Sequence, residues 1–222
     1  MSTAGQRLFV GIPVAPAVAS ELAATCASLA RRATAQNVPL RWMPPATYHV
    51  TLRFLGWTRA ETAPAVAEAV RRAVAGIGPL RFRCVRLGAF RSTTRANVVW
   101  AGVEDTGGAL AALAAALERE VVPLGFAAET RPFHPHVTLG RLREPANVDS
   151  VLLPFAEQVF SETRCDSVTL FESVTKSSGS EYVPVLRAAL SAAISPLQRQ
   201  TDPVQTGPLD ASSGSDDGWD KR

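Results

Sequence analysis

Hydrophobic and polar residues repeat with two different periods along the first part of the chain. Residues 7–12 form a short apolar run that ends at Pro13, which is typical of a strand. From Pro16 onward, apolar residues recur every three or four positions, and this period predicts an amphipathic helix. Residues 49–55 then alternate as a second strand, which is expected to stop at Gly56. The apolar face of the predicted helix consists of Val18, Leu22, Cys26 and Leu29.

The same two periods continue to about residue 190. Helices that alternate with mostly amphipathic strands, without a glycine-rich dinucleotide loop, indicate an α/β or α+β domain. A weaker helical segment is predicted over 148–159, where Pro154 interrupts it. Two clear helices are also predicted. The inner face of the first consists of Val66, Val70, Val74 and Ile77. The second follows Gly107 and Gly108, and its inner face consists of Leu110, Leu113, Leu117 and Val121. Further strands are predicted over 80–87, 97–103, 136–142, 167–172 and 182–190, with a turn at 177–180.

Composition divides the chain into a domain over residues 1–190 and a tail over 191–222. The tail is rich in Ser, Asp, Gln, Pro and Gly, so it is predicted to be disordered. It holds five acidic and three basic residues, a charge of −2, and the total of +3 therefore leaves +5 on the domain. This excess is almost entirely arginine, which suits an anionic substrate such as a phosphate because a guanidinium group binds two oxygens at once. It is far too small for a nucleic-acid-coating surface.

Other features bear on where the protein works. No run approaches the ~18–20 apolar residues of a membrane span, and residues 1–7 lack the pattern of a signal peptide. Cys26, Cys84 and Cys165 lie far apart without C-x-x-C spacing, so we expect buried thiols in a reducing compartment. These observations predict a cytoplasmic protein without membrane contact. No exposed apolar stripe indicates more than a monomer.

One internal repeat is visible. The tetrapeptide His-Val-Thr-Leu occurs at residues 49–52 and again at 136–139, 87 residues later. Each copy lies on a predicted strand, one in each half of the chain. Two matching strands in two halves predict two lobes related by a rough two-fold axis, with the motifs facing each other.

Strand geometry assigns the residues of each motif to two faces. Side chains at positions i and i+2 project from the same face, so His49 and Thr51 point together. Val50, Leu52 and Phe54 are expected to face the buried side. The second copy has the same parity, which puts His136 beside Thr138, with Val137 and Leu139 facing the core.

Two imidazoles that flank one cleft suit in-line displacement at phosphorus. A neutral imidazole takes a proton from the nucleophile, and an imidazolium gives one to the leaving oxygen. Histidine fits both roles because its ordinary pKa is about 6.5. The threonine hydroxyls can donate to the non-bridging oxygens, and this chemistry needs no metal. A lone histidine in a strand is more often structural, but two of only three histidines occupy equivalent places in a duplicated motif.

The duplicated motif and its surroundings resemble a known family. Arg-Leu-Phe-Val at 7–10, Leu-Arg-Phe-Leu-Gly at 52–56, Arg41-Trp42 and Arg-Pro-Phe at 131–133 are similar to the two-histidine phosphoesterase superfamily. Within it, the branch most similar is that of the RNA 2′,3′-cyclic phosphodiesterases, also called 2′-5′ RNA ligases. The resemblance covers about residues 6–190. It implies an α+β fold of two pseudo-symmetric lobes, in which antiparallel sheets face a central cleft and helices lie outside.

The resemblance also implies a role for each motif residue. His49 would be the proton donor to the leaving 3′-oxygen, and His136 the proton acceptor that activates water, which leaves a 2′-phosphomonoester. Thr51 and Thr138 would bind the phosphate oxygens. Arg141 matches a family arginine near the phosphate, although strict parity puts it opposite His136, so a bulge or the strand end must redirect it. No cofactor or metal is implied, and the partners are RNA ends or small cyclic nucleotides.

Several alternatives stay open. His134 shares a face with His136 and either contacts the base or ribose or is a rim residue; a metal pair lacks a third ligand. Arg53 faces phosphate or solvent, and Tyr182 lies on the last strand near the site or in the core. Phe9, Trp42 and Phe90 either stack a nucleobase or pack in the core. The alternative functions are 2′-5′ RNA ligation, hydrolysis of another cyclic or 2′-5′-linked nucleotide, and nucleotide binding without catalysis.

Overall fold

A nine-stranded antiparallel sheet forms the centre of the molecule. The computed structural model describes residues 5–176 and 179–192. The order of the strands is β10-β9-β1-β3-β7-β6-β5-β8, and β2 pairs with β7 beside this path. The strands are β1 (Gly5–Pro13), β2 (Leu40–Trp42), β3 (His49–Arg59), β4 (Ala75–Gly76), β5 (Leu80–Phe90), β6 (Ala96–Asp105), β7 (His136–Ala146), β8 (Val159–Cys165), β9 (Ser167–Lys176), β10 (Gly179–Ala189) and β11 (Ser191–Ala192), of which β4 and β11 form a separate parallel pair.

The sheet consists of two halves that meet at β3 and β7. Each half has four antiparallel strands, β3-β1-β9-β10 in one and β7-β6-β5-β8 in the other, and each contains one copy of the repeated motif. Within the described residues, one backbone pair joins β3 to β7, between Val50 and Val137. This arrangement confirms the predicted α+β fold of two lobes. The two expected sheets are continuous through that single pair.

Helices cover the outer face of both halves. Helix α1 (Pro16–Ala35) packs against β8 and β2, and α2 (Ala63–Val74) and α3 (Ala109–Val121) pack on each other and against β9, β10 and β3. Pro16 suits the first turn of α1 because that turn's N–H groups have no partner within the helix. A short helix, α4 (Asp149–Leu152), contacts α1. In the described part of the chain, no helix is long and apolar enough to cross a membrane.

Burial confirms the predicted apolar faces of the three long helices, with one exception. Helix α2 ends at Val74, so Ile77 lies beyond it and is only partly buried against the core. The buried predicted residues are Val18, Leu22, Cys26 and Leu29 on α1, Val66, Val70 and Val74 on α2, and Leu110, Leu113, Leu117 and Val121 on α3.

Four strands and one segment differ from the sequence-based expectation, namely β2, β4, β8 and β11 and the segment 148–159. Only Asp149–Leu152 is α-helical in the segment 148–159, because a 3-10 turn at Leu153–Phe155 follows around Pro154 and β8 begins at Val159. The sequence does not predict strand β8, since its buried positions do not alternate regularly. Strand β2 has three residues, too few to show a period. Of the predicted turn at 177–180, residues 177 and 178 lie outside the described chain. The predicted tail, 191–222, begins with two residues that pair with β4 as strand β11, and from 193 onward it lies outside the described chain.

Strand β3 does not stop at Gly56, which corrects the sequence-based boundary. Pairing with β1 shifts in register twice, between the partners of Val10 and Gly11 and between those of Leu8 and Phe9. Gly56 has a φ of 71°, in the left-handed region that favours glycine. Because these shifts change the phase of the strand, the expectation that Phe54 is buried is wrong. Its side chain is 60% exposed on the cleft side, and Leu55 is buried instead.

The bulge predicts the effect of substitutions at Gly56. Gly56→Ala is expected to lower the free energy of unfolding by ~1–2 kcal/mol, since a left-handed alanine is strained. No atom lies within 4 Å of the position that a Cβ would take, so the cost comes from the backbone alone. Gly56→Asn is the matched control and should cost less, because asparagine adopts this region more readily. Urea unfolding measures both, and an alanine variant as stable as the wild type would contradict the assignment.

Candidate active site

Four side chains of the repeated motif surround the point where the two halves of the sheet meet. Val50 and Val137 pair there, and both are fully buried on the helix side. Their neighbours in sequence therefore project to the opposite face. Since the strands are antiparallel, His49 lies toward Thr138, and Thr51 toward His136. All four side chains line one cavity of ≈ 960 Å³.

Backbone carbonyls orient both imidazoles in the same way. The Nδ1–H group of His49 donates to the carbonyl oxygen of Thr47 at 2.7 Å, and that of His136 donates to the carbonyl oxygen of His134, also at 2.7 Å. A carbonyl only accepts, so Nδ1 carries the proton and Nε2 is left for the cleft. The Nε2 atom of His49 lies 3.0 Å from the hydroxyl oxygen of Thr51. Each motif thus presents an acid–base nitrogen to a shared space.

Aromatic rings hold each imidazole from the side. The ring of Tyr182 meets His49 edge-on, with centroids 5.1 Å apart and an angle of 87°. Phe90 meets His136 in the same geometry, at 4.7 Å and 87°. The ring of Phe9, which is 3% exposed, lies 4.9 Å from the ring of His49. Tyr182, Phe9 and Phe90 therefore all contact a motif histidine, and the two half-sites are equivalent in this respect too.

A glycine leaves the space that His49 occupies. A Cβ at Gly11 would lie 3.1 Å from Cδ2 of His49 and 2.9 Å from the carbonyl oxygen of Val50. Sequence reasoning did not single out Gly11. A glycine inside an apolar strand is a signal of close approach by another group, so the position was recognisable in principle.

Arg141 reaches the cleft through an irregularity of the strand, which the family resemblance and strand parity together called for as either a bulge or the strand end. Val99 pairs with Gly140 and Trp100 with Thr138, so Leu139 is an extra residue in β7. Leu139 and Gly140 are both buried, and the following Arg141 is exposed on the cavity side. Its charge acts on both motif histidines.

The surroundings favour the neutral form of both imidazoles in the free protein. Burial lowers the pKa of His49 to about 4; the hydrogen bond to the Thr47 carbonyl opposes this change, and the charges of His136 and Arg141 reinforce it. Burial also lowers the pKa of His136, where the His134 carbonyl opposes the shift and the charges of His134 and Arg141 add to it. An anion placed between the two histidines would act in the opposite direction on both.

Of the remaining candidates, His134 lies in the cavity and Trp42 lies away from it. The ring of His134 lines the cavity 6.2 Å from that of His136 and contacts Phe90 and Trp100. Trp42 is partly buried against the core, away from the cavity. Within residues 5–176 and 179–192, no group of three or more His, Cys, Asp or Glu side chains is placed to hold a metal ion. Sequence reasoning gave no role in the cleft to Arg7, Met43, Phe54, Glu118, Arg131 and Phe133, which line the cavity.

Sequence comparison matches residues 18–176 to the 2′-5′ RNA ligase superfamily. The chain belongs to this family. This membership confirms the predicted two-histidine phosphoesterase relationship. A superfamily relative from Aeropyrum pernix, named RNA 2′,3′-cyclic phosphodiesterase, is 32% identical over 151 residues, which are 66% of this chain and 84% of the relative. A relative of the same name from Aquifex aeolicus is 27% identical over 148 residues, which are 65% of this chain and 79% of the relative.

Two solved structures share the architecture described above. TT0787 of Thermus thermophilus superposes with a TM-score of 0.68 at 24% identity, covering 84% of this chain and 98% of that one. LigT of E. coli complexed with 3′-AMP gives 0.65 at 24% identity, covering 85% and 99%. The likeness extends over nearly the whole length of both neighbours.

The low pKa of His49 predicts a dependence of stability on pH. The pKa of an unfolded histidine is ~6.5, whereas burial lowers the pKa of His49 to about 4 in the folded protein. Between these values the unfolded state takes up a proton that the folded state does not, so the free energy of unfolding falls as the pH falls. The slope is at most ~1.4 kcal/mol per pH unit. His49→Gln should remove this part of the slope in urea unfolding at about pH 7 and about pH 5; an unchanged slope would contradict it.

Proposed function

We propose that this protein hydrolyses 2′,3′-cyclic phosphate ends of RNA or nucleosides to 2′-phosphomonoesters by metal-independent two-histidine catalysis. The observation that carries the proposal is the equivalent presentation of His49 and His136. Both have Nδ1 fixed by a backbone carbonyl and line one cavity at the meeting point of the two lobes. The names of the Aeropyrum pernix and Aquifex aeolicus relatives support the same substrate class.

Each group in the cavity has a step in the proposed reaction. The Nε2 atom of His136 accepts a proton from water while the water oxygen attacks phosphorus, and the bond from phosphorus to O3′ breaks. His49 gives its Nε2 proton to O3′, which becomes the free 3′-hydroxyl group. The phosphate remains on O2′. Thr51, Thr138 and Arg141 stabilise the charge on the non-bridging oxygens in the transition state.

The electrostatics of the cavity make substrate binding part of the proton balance. The proposed donor must carry a proton, yet burial favours a neutral His49 in the free protein. The cyclic phosphate is an anion, and an opposite charge within ~4–6 Å favours protonation of an imidazole. Binding therefore raises the pKa of His49 at the moment when the acid is needed, and Arg141 remains as the fixed cation.

Ligation would use the same residues. A 5′-hydroxyl end of a second RNA takes the place of water as the nucleophile, gives its proton to His136 and forms a 2′-5′ link while the bond from phosphorus to O3′ breaks. Water at ~55 M favours hydrolysis unless the two RNA ends are held together. Ligation is therefore a secondary outcome of the same site.

The decisive assay is turnover of a 2′,3′-cyclic nucleotide in the presence of EDTA. His49→Ala and His136→Ala are each expected to lower kcat by ~10²–10⁴, the usual contribution of a general acid or base. His134→Ala is the matched control, since His134 lines the same cavity without the motif geometry, and it should lose far less. Full activity of either motif variant would contradict the proposal. So would a wild-type protein that is active only when metal is added.

Product identity tests which ester oxygen leaves phosphorus. If O3′ leaves, as proposed, the wild type yields the nucleoside 2′-phosphate, which chromatography against both authentic monophosphates distinguishes. A 3′-phosphate would mean that O2′ leaves instead. In that case the roles of the two histidines relative to the ribose would have to be reassigned.

A further inference from the structure

A loop of eleven residues forms one wall of the cavity and leads into the second motif. This cleft loop, residues 125–135, follows a 3-10 turn and has no regular secondary structure. Glu129, Arg131, Phe133 and His134 of the loop line the cavity. The loop also supplies the His134 carbonyl that orients His136.

Backbone hydrogen bonds hold the cleft loop at its two ends. The N–H group of Gly125 donates to Val122, and the carbonyl of Pro135 accepts from the N–H group of Val103 at 3.1 Å. In the described chain, none of residues 126–134 makes a backbone–backbone hydrogen bond with another element. Phe126 and Phe133 pack partly against the core. The position of the middle of the loop therefore depends on side chains from elsewhere.

Two charged side chains, one on β3 and one on α3, supply these contacts. The guanidinium of Arg53, on β3, donates to the carbonyl of Ala127. Its Nε atom lies 2.6 Å from Oε2 of Glu118, on α3. The other carboxylate oxygen, Oε1, accepts from the N–H group of Glu129 at 2.8 Å. Arg53 and Glu118 thus form an ion pair, although the Nε–H group is not aligned for a hydrogen bond, and each side chain binds one backbone group of the loop.

Burial makes this pair more than a surface contact. The side chains of Arg53 and Glu118 are 10% and 26% exposed. A second guanidinium N–H of Arg53 donates to the carbonyl of Phe54 at 2.7 Å, so the group is engaged on several sides. Removing one partner would leave the other charge partly buried without compensation. Arg53 was expected to face phosphate or solvent; it lines the cavity, and its hydrogen bonds also lead to the loop.

We infer that Arg53 and Glu118 form a positioning pair that fixes the cleft loop as the substrate-binding wall of the site. The inference rests on the proposed function for its kinetic consequences. The pair connects the half of the sheet that carries His49 to the cleft loop, which directly precedes His136. Because the Pro135 carbonyl remains anchored to Val103, loss of the pair should displace the wall more than the His136 ring. The expected consequence is weaker substrate binding with a smaller effect on the chemical step.

The test compares two carboxylates of helix α3. Glu118→Ala should raise KM about tenfold for a 2′,3′-cyclic nucleotide and change kcat by at most about threefold. Glu120→Ala is the matched control, because Glu120 pairs with Arg72 of α2 at 2.7 Å and does not line the cavity. It should leave KM and kcat unchanged. A purely structural role of Glu118 would lower stability without this selective rise in KM.

Hydrogen exchange provides a readout that does not require turnover. The amide of Glu129 should exchange faster in Glu118→Ala but not in Glu120→Ala, since only Glu118 accepts its hydrogen bond. Unchanged exchange together with an unchanged KM would overturn the inference. If the wild type turns over no cyclic nucleotide, the proposed function fails, and the exchange experiment still decides whether the pair fixes the loop.

Two further variants separate the contributions. Glu118→Gln keeps an acceptor for Glu129 but removes the charge opposite Arg53, so its KM should lie between those of the wild type and Glu118→Ala. It also serves if the alanine variant does not fold. The double variant Arg53→Ala/Glu118→Ala should raise KM by less than the product of the two single fold-changes, because both substitutions remove the same link. Additive effects would show that the two side chains act separately.

Discussion

The pairing of Val50 with Val137 is the contact on which the geometry of the site depends. It joins two four-stranded half-sheets through one residue pair in the described structure. Both valines are completely buried, so the adjacent motif residues have to face the cleft. A shift of one residue in this register would turn one of the two histidines into the core and separate the motifs onto opposite faces. Burial of two apolar side chains thereby fixes the relative position of two catalytic candidates 87 residues apart in sequence.

The two half-sites are equivalent in their histidines and threonines and differ immediately afterwards. The fourth residue after the histidine is Arg53 in one half and Gly140 in the other, and the fifth is Phe54 in one and Arg141 in the other. A register shift turns the fifth residue toward the cleft in both halves. One half therefore contributes a cation to the centre and the other an exposed aromatic ring. An acid and a base must be chemically distinct, and these positions supply a difference that the repeated tetrapeptide lacks.

The sequence predicted most of the architecture because its long elements have clear periods. The three main helices, the repeat and the parity of His49 and His136 follow from local spacing alone. The exceptions depend on partners that are distant in sequence. Phe54 is exposed because of how β3 pairs with β1, and Arg53 points to the cleft loop because Glu118 and Ala127 lie there. The bulge before Arg141 differs from these cases because it was anticipated: strand parity and the family resemblance together called for a bulge or a strand end there.

Burial and the proposed function place opposite demands on His49. The imidazole has to be buried to exclude water and keep one orientation, yet burial favours its uncharged form. The Thr47 carbonyl resolves only the orientation, because it binds Nδ1–H in either protonation state. Arg141 further disfavours a charged imidazole while no anion is bound. A phosphate between these groups would compensate the charge of Arg141 and that of a protonated His49 at once. The same cavity that keeps the free protein's histidines neutral would therefore charge the proposed donor when substrate is bound.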